Sequence, residues 1–208
     1  GLNSRLKASD DQPVRMYYGD FDNNGTKEQL LTYYLNNKEL VFAGKDELQK
    51  QMPGLKKDYL YAEDFAKASF TDLFSHDKLA ASQIYTANYF PNAILINDGK
   101  MHFSVQPMPW QAQLSPYKTA TVIDANHDSL PDILLFGNYD ENNIQMGRYD
   151  ADFGTILVNK GNDKFETQSL NGLQVKGEVR SMKKIMVKNK PAYVLARNND
   201  SVMVIQFH

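Results

Sequence analysis

Two short stretches of this chain place oxygen-bearing side chains at alternate positions. Asp20, Asp22, Asn24 and Glu28 occupy positions 1, 3, 5 and 9 of one stretch, and Asp124, Asn126, Asp128 and Asp132 occupy the same positions of another. Alternate residues of a tightly curled loop point at one centre, and calcium, a hard cation, takes roughly 6–8 oxygen ligands. Thr26 and Leu130, at position 7, can each offer a main-chain carbonyl. The acid at position 9, entering the next strand, can close the shell. Gly25 eases the curl of the first loop. The expected ion is a structural Ca2+ that neutralises clustered carboxylates. An EF-hand is excluded, because that loop needs a Gly at position 6 and a Glu at position 12. Position 12 is Leu31 in one loop and Leu135 in the other, and position 6 of the second is Ser129. Asp and Asn also favour turns for their own sake. Two loops of matched spacing, each before an apolar strand, weigh for the metal.

The elements that must hold these loops read mainly as β-strands. Apolar or alternating runs recur at Thr32–Phe42, Gln83–Tyr89, Lys118–Ile123, Ile133–Phe136, Ile185–Val187 and Val202–Phe207. Two hairpins also match. Ile94-Leu95-Ile96-Asn97-Asp98-Gly99 leads to Phe103, and Ile156-Leu157-Val158-Asn159-Lys160-Gly161 leads to Phe165. Asn and Gly tolerate the positive φ that such turns demand. A looser third copy runs from Tyr193 through Asn198-Asn199-Asp200 to Ile205. The recurring unit is therefore acidic loop, apolar strand, Asn-Gly hairpin. Its first occurrence is longer, and the excess at 45–79 reads as a helical insertion. Ala62, Phe65, Ala66, Ser69, Phe70 and Leu73 there recur at spacings of three and four, one face of a helix. The expected fold is mainly β: a β-propeller-like array of about three four-stranded blades, fewer than the roughly four to eight of a closed propeller.

The patterns Asp-Phe-Asp-Asn-Asn-Gly-x-x-Glu and Asp-Ala-Asn-His-Asp-x-x-Pro-Asp, with the hairpins Leu-Ile-Asn-Asp-Gly and Leu-Val-Asn-Lys-Gly, resemble FG-GAP (VCBS) repeats. The loops are similar to the calcium loops of integrin α-chain propellers. The chain as a whole resembles the C-terminal part of large bacterial surface or secreted proteins with VCBS and ASPIC/UnbV-like regions. The resemblance is close over the loops and hairpins and loose elsewhere. It implies residues 1–208 as a single propeller-type region, calcium in the blade loops, an extracytoplasmic setting, and binding rather than catalysis. Three departures stand out. Asn24 and Asn126 replace acids, Glu28 replaces the usual Asp, and the 45–79 insertion lies outside the common repeat.

Other features narrow the function. The net charge of -2 offers no basic field for nucleic acid. No apolar run approaches the roughly 20 residues that span a bilayer. Gly1-Leu2-Asn3-Ser4 carries no leader pattern, and the start at Gly1 reads as a piece of a longer protein. With no cysteine, thiolate chemistry is excluded. His76, His102, His127 and His208 show no metal or triad spacing, and no Gly-x-Ser-x-Gly or phosphate-binding loop is present. No catalytic residues are assigned. A second ligand site is sought at Arg148, Tyr149, Asp150 and Asp152, although an Arg–Asp pair ordering a turn explains that loop as well. Trp110, Tyr117, Tyr139 and Tyr149 are weighed as an aromatic platform for a sugar ring against ordinary packing. The favoured function is a binding module with a protein or glycan partner, with self-association through exposed blade edges. The alternatives are a carbohydrate-active hydrolase or lyase, with carboxylates in the Asp140–Asp152 stretch, and a calcium-stabilised spacer.

Overall fold

A computed structural model describes residues 1–207, which leaves His208 outside the described residues. The chain divides into two compact units, one of residues Leu6–Phe90 and one of Gly1–Arg5 with the chain from Pro91 onward. It is mainly β, with four antiparallel sheets, none closed into a barrel. Among the described residues no helix is long and apolar enough to cross a membrane.

The Leu6–Phe90 unit begins with a three-stranded meander, β1 (Val14–Gly19), β2 (Glu28–Leu35) and β3 (Lys38–Val41). The run expected as one strand at Thr32–Phe42 is folded in two. Asn36 and Asn37 both take positive φ, 50° and 63°, the conformation a tight hairpin turn requires. Five short helices follow: α1 (Lys45–Gln51), α2 (Leu55–Asp58), α3 (Ala62–Lys67), α4 (Phe70–Leu73) and α5 (His76–Ala81). They deliver β4 (Gln83–Ala87) to the free edge of β1, giving the order β3-β2-β1-β4. The helical face expected across residues 62–73 is broken at Ala68, whose backbone is extended. Ser69 then caps α4 in a reciprocal box with Asp72, a local bond that outweighs helix continuity. Tyr17, Phe21 and Leu30 of the sheet side bury against Leu48, Met52, Phe70, Phe74 and Leu79 of the helices. The rings of Tyr17 and Phe70 lie 5.0 Å apart and those of Phe21 and Phe74 5.3 Å.

The other unit holds three sheets. A two-stranded hairpin pairs β5 (Ala93–Asn97) with β6 (Phe103–Pro107), and a 3-10 turn follows at Trp110–Gln113. An up-and-down sheet of order β10-β9-β8-β7 comprises β7 (Tyr117–Ile123), β8 (Asp132–Gly137), β9 (Thr155–Asn159) and β10 (Phe165–Ser169). A three-stranded sheet takes β11 (Val179–Val187), β12 (Lys190–Arg197) and β13 (Met203–Ile205). Leu134, Phe136, Ile156 and Val158 face Val179, Met182, Tyr193, Leu195 and Ile205 across one core. Leu135 and Leu157 turn the other way, to Ala112 and Ile94. Strands β8 and β9 are thus covered on both faces, which is why they read as unbroken apolar runs.

The sequence predicts about three four-stranded units, with the Asn97 hairpin in the first. Two sheets have four strands, one has three and one has two. The Asn97 hairpin lies outside the first sheet and in the other unit, because β4 occupies the edge of β1. The helices lie within the first sheet, between β3 and β4. The two matched hairpins do close alike. Asn97 stands opposite Phe103 and Asn159 opposite Phe165. Each Asn side chain accepts from the glycine amide two residues on, at 2.9 Å for Gly99 and 2.8 Å for Gly161.

Candidate metal loops

Each acidic loop closes an antiparallel pair in the same register. Gly19 faces Glu28 across β1 and β2, and Ile123 faces Asp132 across β7 and β8. The residues before position 1 and at position 9 are therefore clamped by a ladder, and the loop between them must curl. Both loops curl with the same backbone. Position 4 has positive φ in each, Asn23 at 61° and His127 at 62°, and so has position 6, Gly25 at 84° and Ser129 at 67°. The eased turn at Gly25 is legible in the sequence, whereas the one at position 4 is not, save for the Asn at that position in the first loop.

The side chains repeat the pattern. The position 1 carboxylate accepts the position 6 amide, Gly25 to Asp20 at 2.9 Å and Ser129 to Asp124 at 3.2 Å. The position 3 oxygen accepts the position 5 amide, Asn24 to Asp22 at 3.2 Å and Asp128 to Asn126 at 3.1 Å. The position 5 oxygen accepts the position 7 amide, Thr26 to Asn24 at 2.7 Å and Leu130 to Asp128 at 2.8 Å. The position 9 carboxylate accepts the position 2 amide, Phe21 to Glu28 at 2.8 Å and Ala125 to Asp132 at 2.9 Å. In the first loop the Thr26 hydroxyl also donates to Asn24. Lys78 of α5 donates to the Phe21 carbonyl and fastens this loop to the helices.

The loops differ in what their carboxylates have left to give. Oxygens of Asp20, Asp22 and Glu28 all lie within 4.8 Å of one another, the one such group of three acidic side chains among the described residues. Like charges this close repel unless a cation or proton intervenes. The donors are all oxygen, which fits a hard divalent ion, with Asn24 and the Thr26 carbonyl completing the expected set. In the second loop Asp132 is fully buried, and its other oxygen accepts the Asn159 amide at 2.8 Å. That carboxylate is committed to joining the loop to the β9–β10 hairpin. Asn126 donates its amide to Asp128 at 2.8 Å, which occupies another oxygen.

Ser129 holds a left-handed conformation that glycine adopts without strain. Ser129→Gly is therefore expected to raise stability by about 1 kcal/mol. Chemical denaturation of the two proteins reads this directly, and a loss of stability would contradict the strain.

The second stretch of interest does not come together as one site. Arg148 and Asp150 are exposed, and no ion pair joins Arg148 to Asp150 or Asp152 among the described residues. Tyr149 is bridged to Tyr139 through the backbone, and its hydroxyl meets Ser4 at 3.1 Å. Asp152 points inward. Thr155 donates to it at 2.8 Å, and Tyr117 donates to Thr155 at 3.0 Å. Burial pushes the Asp152 carboxyl above the usual carboxylate range, against hydrogen bonds from Thr155, Gly154, Gly137 and Tyr117 that pull it down. Such a group binds its proton more tightly folded than unfolded. Its contribution thus favours folding at low pH and is lost as pH rises through the folded value. Asp152→Asn keeps an acceptor for Thr155 and is expected to flatten that part of the decline. Melting curves of both proteins from about pH 4 to 8 test this, and parallel curves would contradict it.

Glu178 was not singled out in the sequence. It is 1% exposed, paired with Arg180 at 2.6 Å and hydrogen-bonded by Asn198 at 3.2 Å. Burial, then Glu178 and Asp150, raise the Asp140 carboxyl, and Arg148 opposes them. The four aromatics form no platform. Trp110 is 70% exposed, Tyr117 and Tyr149 are spent on hydrogen bonds, and Lys118 and Arg180 sit over the Tyr139 ring at 5.2 and 5.7 Å.

No family description, curated protein or solved structure matches the chain.

Proposed function

We propose that the chain is a non-enzymatic binding module of FG-GAP/VCBS type. Calcium orders its acidic loops, and the module belongs to a larger extracytoplasmic protein with a protein or glycan partner. The observation that carries this reading is the shared construction of the two loops. They have the same register, the same pair of positive-φ positions and the same four side-chain to backbone bonds. Ordinary Asx turns account for single bonds of this kind, whereas here a whole set repeats, and in the first loop it brings oxygens of Asp20, Asp22 and Glu28 within 4.8 Å of one another. The propeller-like arrangement is part of the proposal. Its support is the up-and-down sheet β7–β10, covered on one face by β11–β13 and on the other by residues from the β5–β6 hairpin and the 3-10 turn.

Calorimetric titration with CaCl2 tests the reading. A tighter event from the Asp20 loop and a weaker one from the Asp124 loop are expected. No heat at millimolar calcium would remove the metal from the proposal.

A hydrolase is the second reading, favoured by the raised Asp140 carboxyl beside Glu178. Glu178 is closed off from solvent and held by Arg180, so it cannot touch a substrate in this arrangement. That removes Glu178 as the second carboxylate of a glycoside hydrolase and leaves the exposed Asp150, which also raises Asp140, as the partner this reading would need.

A further inference from the structure

A cleft of about 360 Å³ opens beside the β10 edge of the up-and-down sheet. Thr167 and Gln168 of β10 form one side, with Gln111 of the 3-10 turn and Gln174 of the loop before β11 around it. Leu114, Phe153 and Leu173 add exposed apolar surface. This volume falls in the range of small-molecule sites, which combine apolar surface with a few polar groups.

The chemistry of the lining selects the ligand. The side chains of Gln111, Gln168 and Gln174 make no hydrogen bond among the described residues. Each amide thus offers two N–H donors and a carbonyl acceptor. The cleft contains no lysine or arginine. Its single carboxylate, Asp152, is buried and accepts from the Thr155 hydroxyl. An anion would find no cation here, and a cation no free carboxylate. A hydrocarbon chain would gain nothing from the three amides and would cover the half-buried Gln168 without pairing it. A sugar satisfies both kinds of surface. Vicinal hydroxyls pair with amides that donate and accept, while the C–H face of the ring lies on Leu114, Phe153 and Leu173. We infer that this cleft binds a neutral oligosaccharide. The inference rests on the binding-module reading and names its ligand class and site.

The strand beside the cleft suggests the competing occupant. β10 is an edge strand, and an extended peptide could add to it through backbone bonds. Such a peptide would pair with the β10 backbone rather than depend on side chains from the 3-10 turn and the loop before β11, and the sugar is favoured because Gln111 and Gln174 lie on those two segments.

The test uses the whole chain and a panel of neutral oligosaccharides: cellohexaose, xylohexaose, maltohexaose, mannohexaose and chitohexaose. A Thr-Val repeat heptapeptide is run in parallel. The readouts are the side-chain amide NMR signals of the three glutamines and the fluorescence of Trp110, the single tryptophan, next to Gln111. At least one sugar is expected to shift the three amides together. Gln168→Ala with Gln174→Ala is expected to weaken it at least tenfold. Gln174 is exposed on a loop, so Gln174→Ala alone supplies a variant whose folding is not at issue. No response to any sugar overturns the inference, as does binding that the variants leave unchanged. Shifts from the peptide without shifts from the sugars also overturn it. Calcium-dependent melting of the same samples separates the two readings. If it persists while the sugars fail, only the cleft assignment falls.

Discussion

Millimolar calcium is expected to raise the midpoint of thermal unfolding by about 5–10 °C over the same protein in excess EDTA. A ligand at roughly 100 times its Kd stabilises the state it binds by about 2.7 kcal/mol, and each kcal/mol moves the midpoint of a domain this size by about 2–4 °C. Asp20→Ala is expected to remove most of that rise. The Asp20 carboxylate receives the amides of Asn24 and Gly25 and stands with Asp22 and Glu28 inside 4.8 Å. Asp124→Ala is expected to remove the remainder, a smaller share, because Asp132 and Asp128 of that loop are already engaged by the protein. Each variant is compared with itself in EDTA, so that the loss of loop hydrogen bonds does not enter the difference. Magnesium is expected to do much less, since it demands a tighter octahedral shell. No shift in the unaltered protein would reduce both loops to ordinary turns.

Gly137→Ala is expected to cost about 3 kcal/mol, a fall in melting midpoint of roughly 6–12 °C. A Cβ at Gly137 would lie 1.9 Å from the Pro116 carbonyl oxygen and 2.7 Å from the Tyr117 Cα. Both are backbone atoms at the start of β7, so no rotamer change relieves the clash. The pair β7–β8 must part at that point, and the buried Asn138 next to it loses its alignment. Asn138 donates its backbone amide to Pro116 at 3.0 Å and its side-chain amide to Asp152 at 2.8 Å, and it accepts from Ser115 at 2.7 Å. Gly25→Ala is the control. Its positive φ is strained for alanine, but nothing lies within 4 Å of the added carbon, so the cost is about 1 kcal/mol. Equal costs at the two glycines would show that the close approach at Gly137 is not what constrains it.

What could be read from the residues follows the range of the interactions. The acidic loops and Asn-Gly hairpins depend on bonds between residues two to seven apart, and their spacing shows in the chain. The doubly covered strands β8 and β9 show because Ile133–Phe136 and Ile156–Val158 are continuously apolar. Short-range features mislead where two local forces compete. Asn36-Asn37 interrupts an apolar run that otherwise resembles one strand, and the Ser69–Asp72 box interrupts a helical face. Long-range choices left no local trace. Nothing in Ala93–Asn97 states that this hairpin will leave the first sheet, because its place depends on β4 reaching the edge of β1 first. The commitment of Asp132 to Asn159 and the closure of Glu178 by Arg180 and Asn198 likewise require knowing which loops meet. The unpaired glutamines of the cleft were invisible for the same reason.

The pairing of β1 with β4 sets the order in which the Leu6–Phe90 unit can be completed during synthesis. Val14 pairs with Ala87, at opposite ends of the unit. Until Gln83–Ala87 is available, any β1–β3 meander that forms leaves one side of β1 bare. A bare strand side is a template for misdirected pairing. Vulnerability during translation is therefore concentrated in the interval before Gln83–Ala87 emerges. Substitutions that slow the folding of α1–α5 should lower the yield of native protein from cells more than they lower the stability of what survives.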